Sequence, residues 1–340
     1  MGRYLIRRIL QSIPILVVIS LIVFILIQLT PGGPMAAFEE NPNLTPEDLA
    51  RLEEQLGLNK PIHVKYYEWA KRIVQGDWGF SQSTRRPVLE EIFERLPNTL
   101  QLMGISFLMT LAIALPIGAI SALKQYSLFD HIMTTFAFIG QAIPVFWFGL
   151  VLIIFFHVGL NNPTDSGGNF ALSHLWDCQT CKPLFPGGGM NTYGLDDPPF
   201  SNRLYHLILP VTMLGIVGVG TYARYMRGSM LEVVHNDYIR TARSKGLTER
   251  AITLRHAVKN AALPIVTIMA LELPSLFGGA LFTETIFSWP GVARLFFRAA
   301  QRVDYPLLMG IILINSFLII FFNLVADIVY AYLDPRIRYE

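Results

Sequence analysis

The stretch from Asp237 to Thr267, DYIRTARSKGLTERAITLRHAVKNAALPIVT, is a strongly charged segment set between two long apolar intervals. Asp237 is placed to cap a short helix from Tyr238 to Lys245, and Gly246 supplies the left-handed residue that ends it. Thr248 is placed to cap a second helix that runs toward Pro264. In that helix Ala251, Leu254, Ala257, Val258, Ala261 and Ala262 share one face, while Glu249, Arg250, Arg255, His256, Lys259 and Asn260 lie largely off it. One side packs and the other meets water or a partner.

The apolar intervals on either side place the segment against a membrane. The chain has 340 residues, 52% hydrophobic and only 15% charged, with a mean hydropathy of +0.43. Soluble globular chains carry more charge than this. Six intervals have the length a bilayer needs: Ile9–Thr30, Leu100–Leu123, Ile132–Leu160, Leu204–Ala223, Asn260–Thr283 and Tyr305–Ala326. Glu272, in the fifth, is the sole Asp, Glu, Lys or Arg inside them. The first follows Arg3, Arg7 and Arg8 as a secretory leader would, but its 22 uncharged residues lack a small-residue cleavage site and read as a retained span.

Orientation follows from Lys and Arg. With the N-terminus inside, the inner segments hold 14 of the 27, including eight between Arg224 and Lys259, and the short outer loops hold five. The long first outer loop holds the remaining eight, offset by 11 acids. Both termini are therefore expected in the cytoplasm, and the net charge of +2 is a topology signal rather than a sign of nucleic-acid binding.

Between the spans, Pro31–Pro97 carries helix signals of its own. Thr45 with Pro46, Glu47 and Asp48 reads as a helix start and Gly57 as a stop; Pro61–Gln75, closed by Gly76, reads as a second helix. The outer loop Asn161–Arg203, with its Gly187-Gly188-Gly189 run, reads as irregular backbone. Its Cys178 and Cys181 suit a short-range disulfide on an oxidising side of the membrane. His174 and Asp177 lie near them, but a four-ligand metal site needs a second ligand pair, so no metal is expected.

The charged segment admits three readings. A DNA-reading helix-turn-helix would have to reach a major groove while tethered by spans on both sides. A plain juxtamembrane segment would only satisfy the positive-inside rule beside anionic lipid. A docking element would seat its second helix in a groove of a cytoplasmic protein around the Gly246 turn. The capping chemistry and the ordered turn favour docking.

Here a resemblance becomes specific. Asp237-Tyr238-Ile239-Arg240-Thr241-Ala242-Arg243-Ser244-Lys245-Gly246-Leu247 resembles the EAA loop of ABC-importer permeases, in the form found in the dipeptide/oligopeptide branch. Arg240-Thr241-Ala242 stands where the general motif has Glu-Ala-Ala. The likeness to a B-type membrane subunit extends to Arg7-Arg8 and Thr30-Pro31-Gly32, to Gly76-Asp77-Trp78-Gly79-Phe80-Ser81, to Glu284-Thr285-Ile286-Phe287-Ser288-Trp289-Pro290-Gly291, to Asp304-Tyr305-Pro306 and to Asp334-Pro335-Arg336-Ile337-Arg338.

The resemblance implies an all-α integral membrane protein with six transmembrane helices and the type I ABC-importer permease fold. Residues 1–30 would be an N-terminal span, 31–96 an extracytoplasmic helical subdomain, 97–332 the five-helix core with its cytoplasmic loop at 229–264, and 333–340 a cytoplasmic tail. It implies a bacterial or archaeal cell membrane and a permease subunit of an ATP-driven peptide importer. The implied partners are a second homologous permease, cytoplasmic ABC ATPase subunits, an extracytoplasmic peptide-binding protein and the lipid bilayer, with no nucleic acid. The chain has no GxxxxGK[ST] pattern, so ATP and Mg would be held by the ATPase and no cofactor by this chain. ATPase coupling falls to Arg240, Thr241, Ala242, Gly246, Leu247, Thr248, Glu249, Arg250, Arg255 and His256.

Glu272 has two readings, a pathway group for a peptide's ammonium end or a carboxylate bonded to neighbouring helices, and the second is favoured. Pro116, Pro144 and Pro210 are candidate kinks, His157 and His206 interfacial hydrogen-bonders, and Trp147 and Trp289 anchors and packing groups. No arrangement argues for catalysis. An importer of nickel or another solute and an ion-driven secondary transporter are the alternatives; the secondary transporter would need no docking loop.

Overall fold

The computed structural model describes residues 2–30, 33–35, 45–55, 59–159, 183–192, 194, 198–272, 274, 276 and 280–333. Cys178 and Cys181, with His174, Asp177 and Gly57, lie outside the described residues. The described residues form helices and irregular connections, with an isolated antiparallel bridge between Phe80 and Pro87.

The helices are α1 (Gly2–Leu29), α2 (Pro46–Gln55), α3 (Ile62–Val74), α4 (Val88–Leu123), α5 (Leu128–Ala142), α6 (Val145–Ile153), α7 (Phe200–Val234), α8 (Asp237–Ser244), α9, α10 (Leu263–Glu272), α11 (Leu281–Ile286), α12 (Val292–Gln301) and α13 (Tyr305–Leu333). Helix α9 has three parts: Glu249–Ala251, a wider π-helical stretch Ile252–Val258, and Lys259–Ala261. α1, α4, α7 and α13 are long and apolar enough to cross a bilayer.

Two of the six expected spans are built differently. Ile132–Leu160 is a bent pair, because α5 and the helix that begins at Val145 meet at an angle of 102°. Ile143 is extended (ψ 128) and Pro144 sits at the cap of α6. Proline disfavours the helical region for the residue before it and has no N–H of its own to continue the ladder. Asn260–Thr283 likewise holds the two short helices α10 and α11 instead of one long helix.

The core is the parallel pair α4 and α7. Leu102 packs with Leu207 and Val211 near the start of both helices, and Ala119 and Ala122 pack with Ala223, Met226 and Met230 near their ends. They touch most closely at Gly118, where an added Cβ would lie 2.4 Å from the carbonyl oxygen of Ala223 and 2.7 Å from Met226 Cβ. Small residues let backbones of membrane helices approach, and dispersion between them replaces the hydrophobic drive that lipid does not supply. α5 and α6 lie on α7, with Gly140 against Ile216 and Gly149 against Met213.

α13 starts beside the start of α4, where Leu307 and Ile311 cover Val88 and Ile92. α1 runs antiparallel to it, with Phe24 and Ile27 on Tyr305 and Met309 at one end and Arg8 Nε 3.3 Å from Asp327 at the other. Beside the α12–α13 turn, buried Asp304 accepts from Ser81 Oγ (2.5 Å), Ser83 Oγ (2.8 Å) and Ser83 N (3.0 Å), which ties the Gly76–Ser81 motif to the bundle.

Candidate functional site

The charged segment forms a compact knob at the end of α7. After Val234 the chain turns and starts α8 with Asn236, not Asp237, at the cap position, and Asn236 makes no side-chain capping bond. Asp237 is instead the first helical residue, where its charge still suits the helix N-terminus. Ile239 and Ala242 turn inward onto the cluster that contains Met226 and Met230, so α8 is pinned by two small anchors and exposes its polar side.

The turn after α8 follows from Gly246. Its φ of +75° is left-handed, Gly246 N donates to Arg243 O (2.9 Å) and Leu247 N to Ala242 O (3.4 Å). These are the paired bonds with which a glycine C′ residue closes a helix. Thr248, in extended conformation, then accepts from Ala251 N with its hydroxyl (3.4 Å) and starts α9. Arg243 grips Glu249 across the turn, Nε to Oε1 at 2.7 Å and the second nitrogen to Oε2 at 3.3 Å. That hydrogen bond holds the Glu249 carboxyl below its ordinary value and raises the Arg243 guanidinium. Glu249, expected as a contact for the ATPase, is thus already engaged within the chain.

α9 keeps Ala257 and Ala261 buried and Val258 packed on the face expected from helical spacing, and corrects that face at Leu254. Leu254 is 58% exposed, and Ile252, Ala257, Ala261 and Ile265 are the residues buried in the cluster under α7. The π-helical stretch is the cause: its wider turn sets Ile252 and Ala257 five residues apart on one face, where an α-helix would use three or four. Leu254 is freed to face outward. Tyr238, Leu247 and Leu254 form the exposed apolar part of the knob, among exposed Arg240, Thr241, Thr248, Arg250 and Arg255, while His256 is half-buried.

From the knob the chain runs directly into the bundle. Ala262 N bonds Val258 O (2.9 Å) and Val266 N bonds Ala262 O (3.0 Å), so only a slight break separates α9 from α10, with Pro264 in the first turn of α10 where its missing N–H is harmless. At the far end of α10, Tyr222 of α7 donates its hydroxyl to Glu272 Oε2 at 2.5 Å. Glu272 is thus bonded to a neighbouring helix. Deeper in the knob's base, Arg227 of α7 forms a two-pronged pair with Asp130 of α5, Nε to Oδ1 at 2.7 Å and the second nitrogen to Oδ2 at 2.8 Å. The knob, α7, α9, α10 and α5 are thus bonded into one body.

The sequence reading missed Asp130, Arg227 and Tyr222. Asp130 carried a usable signal: it stands three residues after Ser127, whose hydroxyl caps α5, at the head of an apolar run. The Glu284–Gly291 motif also has a local explanation. Buried Glu284 accepts from Thr99 Oγ1 (2.8 Å) and Arg294 N (2.9 Å), and Thr99 Oγ1 accepts from Val292 N (2.8 Å). Glu284 and Thr99 together satisfy the first amides of α12, and a Cβ at Gly291 would lie 2.3 Å from the Glu284 carboxylate. Trp289 is wholly buried and donates Nε1 to Asn98 O (2.9 Å), a packing role, whereas Trp147 is half exposed. His157 bonds Phe185 O (3.0 Å), and buried His206 bonds Gly188 O and Gly189 O (both 3.2 Å).

Known proteins match the chain from end to end. The family described as "Binding-protein-dependent transport system inner membrane component" matches residues 114–339, and the family of its N-terminal part matches residues 1–103. The chain is 41% identical over 340 residues, the whole of both proteins, to the oligopeptide transport system permease protein AppB of Bacillus subtilis (strain 168). It is 37% identical over 342 residues, again the whole of both, to the dipeptide transport system permease protein DppB of Escherichia coli (strain K12). With the di/tripeptide transport system permease protein DppB of Pseudomonas aeruginosa (strain UCBPP-PA14) it shares 37% over 338 residues, 99% of each. An integral membrane protein built on these apolar helices, the chain belongs to the family of inner membrane components of binding-protein-dependent transport systems.

Proposed function

We propose that this chain is one of two permease subunits of an ATP-driven importer of dipeptides or oligopeptides. Six spans cross the membrane, the bent α5–α6 pair and the α10–α11 segment each counting as one, and both termini and the α8–α9 knob face the cytoplasm. Antiparallel α1 and α13 support a shared side for the two termini. Cytoplasmic ATPase subunits bind ATP and Mg and grip the knob, a second homologous permease completes the pathway, and an extracytoplasmic peptide-binding protein delivers the cargo. No cofactor binds this chain.

The observation that carries this reading is the continuity of the knob with the bundle. Tyr238, Leu247 and Leu254 offer an apolar seat for a partner, and the Gly246 turn and Arg243–Glu249 grip make that seat stiff. A displacement of the seat passes through α9 into α10 and reaches α7 at Glu272 and Tyr222. Packed elements shift between discrete arrangements rather than deforming smoothly, so a push at the knob changes which side of the pathway is open. The peptide names of the relatives support the cargo.

The test is uptake of labelled di- and oligopeptides by vesicles holding the reconstituted complex, with and without ATP. Uptake that needs both ATP and the binding protein supports the proposal. Uptake driven by an ion gradient without any ATPase, or import of nickel in place of peptides, would overturn it.

A further inference from the structure

Helix α3, in the segment expected to be an extracytoplasmic subdomain, lies outside everything used above, and it packs on a membrane span. Lys65 Nζ donates to Gln28 Oε1 of α1 (2.8 Å), while the hydroxyl of the next residue, Tyr66, lies 2.8 Å from Ser20 Oγ and 3.4 Å from Val17 O. The rings of Tyr66 and Trp69 both meet Phe24, at 5.5 and 5.7 Å. These contacts use about 6 Å of α3 but about 16 Å of α1, as expected of one helix crossing another. Every α1 residue they touch lies within the apolar span Leu10–Leu29, and the same cluster includes Tyr305 and Met309 from the first turns of the α13 span. α3 therefore lies against the second half of the α1 span and the first turns of the α13 span.

The two side-chain contacts also orient it. Lys65 points toward the end of α1 and Tyr66 toward its middle, so the flank continuing from Tyr66 faces the bilayer interior. At helical period that flank carries Ala70, Tyr67 and Val74, with His63 at its start. Tyr67 is 68% exposed and Val74 88%, and nothing among the described residues covers them. The opposite flank carries Lys65, Glu68 and Arg72, with Lys71 pointing away from α1; Glu68 is already paired with Lys60 (2.7 Å). Aromatic and aliphatic groups on the inner flank and cations above them are the arrangement of a helix that lies in a membrane interface.

We propose that α3 is an in-plane membrane helix: Tyr67 and Val74 enter the edge of the hydrocarbon, and Lys71 and Arg72 hold the phosphates of anionic phospholipids. The helix would fix the tilt of α1 and α13 at this face of the transporter. The test uses the full complex in lipid nanodiscs with Cys178→Ser and Cys181→Ser, carrying a fluorescent label on either Val74→Cys or Glu68→Cys. Nitroxide-bearing lipid should quench the label at 74 more than iodide in water does, and the order should reverse at 68. A second arm compares retention of phosphatidylglycerol and phosphatidylcholine. Lys71→Gln and Arg72→Gln should each lower the preference for phosphatidylglycerol by about fivefold. Equal iodide quenching at both positions with no effect of lipid nitroxide would overturn the proposal. So would an unchanged lipid preference in the double variant, or shielding of position 74 only when the soluble peptide-binding protein is added, which would assign the surface to a protein.

Discussion

Replacing Gly246 tests the proposed coupling role of the knob without touching any packing. An added Cβ there meets nothing within 4 Å, so any effect of substitution comes from the backbone, which sits at φ +75°. Holding an L-residue in the left-handed region costs about 1–2 kcal/mol, equivalent to roughly a fivefold to thirtyfold loss of the turn relative to other conformations, and Asn pays least because it visits that region readily. The β-branched Val pays most. The expected order of ATP-driven peptide uptake in proteoliposomes is therefore Gly246, Gly246→Asn, Gly246→Ala, Gly246→Val, with ATP consumed per peptide rising along the series and the amount of assembled complex unchanged. Asn is larger than Ala, so an order that follows side-chain size would refute the backbone argument. Equal uptake per ATP in Gly246→Val and the parent would refute the role of the turn altogether.

Removing one partner of the Asp130–Arg227 pair, by Asp130→Asn or Arg227→Met, should destabilise the complex by about 3 kcal/mol, the low end for a buried pair because Arg227 keeps some exposure; thermal unfolding in detergent measures it, and an unchanged midpoint rejects the pair as a tie between α5 and α7. Gly291→Ala should cost about 1–3 kcal/mol by driving a methyl into the Glu284 carboxylate, and the loss should shrink when Glu284 is also shortened to Asp, which the same melting experiment reads. The Arg243–Glu249 grip predicts a pH dependence. Its carboxyl lies below the ordinary 4.5 in the folded chain, so the grip's contribution is complete above that value and disappears as the pH falls through the lower, folded value. Hydrogen exchange of the α8–α9 amides, corrected for intrinsic rates, should accelerate on acidification from pH 6 to about 3.5, and Glu249→Gln should exchange fast at both.

The parts of this protein legible in the sequence are those set by local chemistry and by length. Apolar runs long enough for a bilayer mark α1, α4, α7 and α13, because the hydrocarbon demands an unbroken set of apolar side chains and internal backbone bonds from each segment alone. Gly246 and Thr248 announced the turn for the same reason: a left-handed residue and a cap act on their own neighbours. Leu254 shows where that reasoning stops. A strict 3.6-residue period turned it inward, but burying Ile252, Ala257 and Ala261 together against α7 required a π-helical stretch, a choice made by the partner surface.

Only the tertiary structure joined residues distant along the chain. Asp130 with Arg227, Tyr222 with Glu272, Thr99 with Glu284 and Ser81 with Asp304 are polar partners brought together by helix packing. No spacing in the sequence encodes such pairs, because each depends on how segments far apart in the chain pack together. The sequence determined which segments enter the membrane and where the knob bends. The packing of α5 and α10 against α7, and of α11 against α4, decided which buried charges could be satisfied, and with them how the knob is bonded to the bundle.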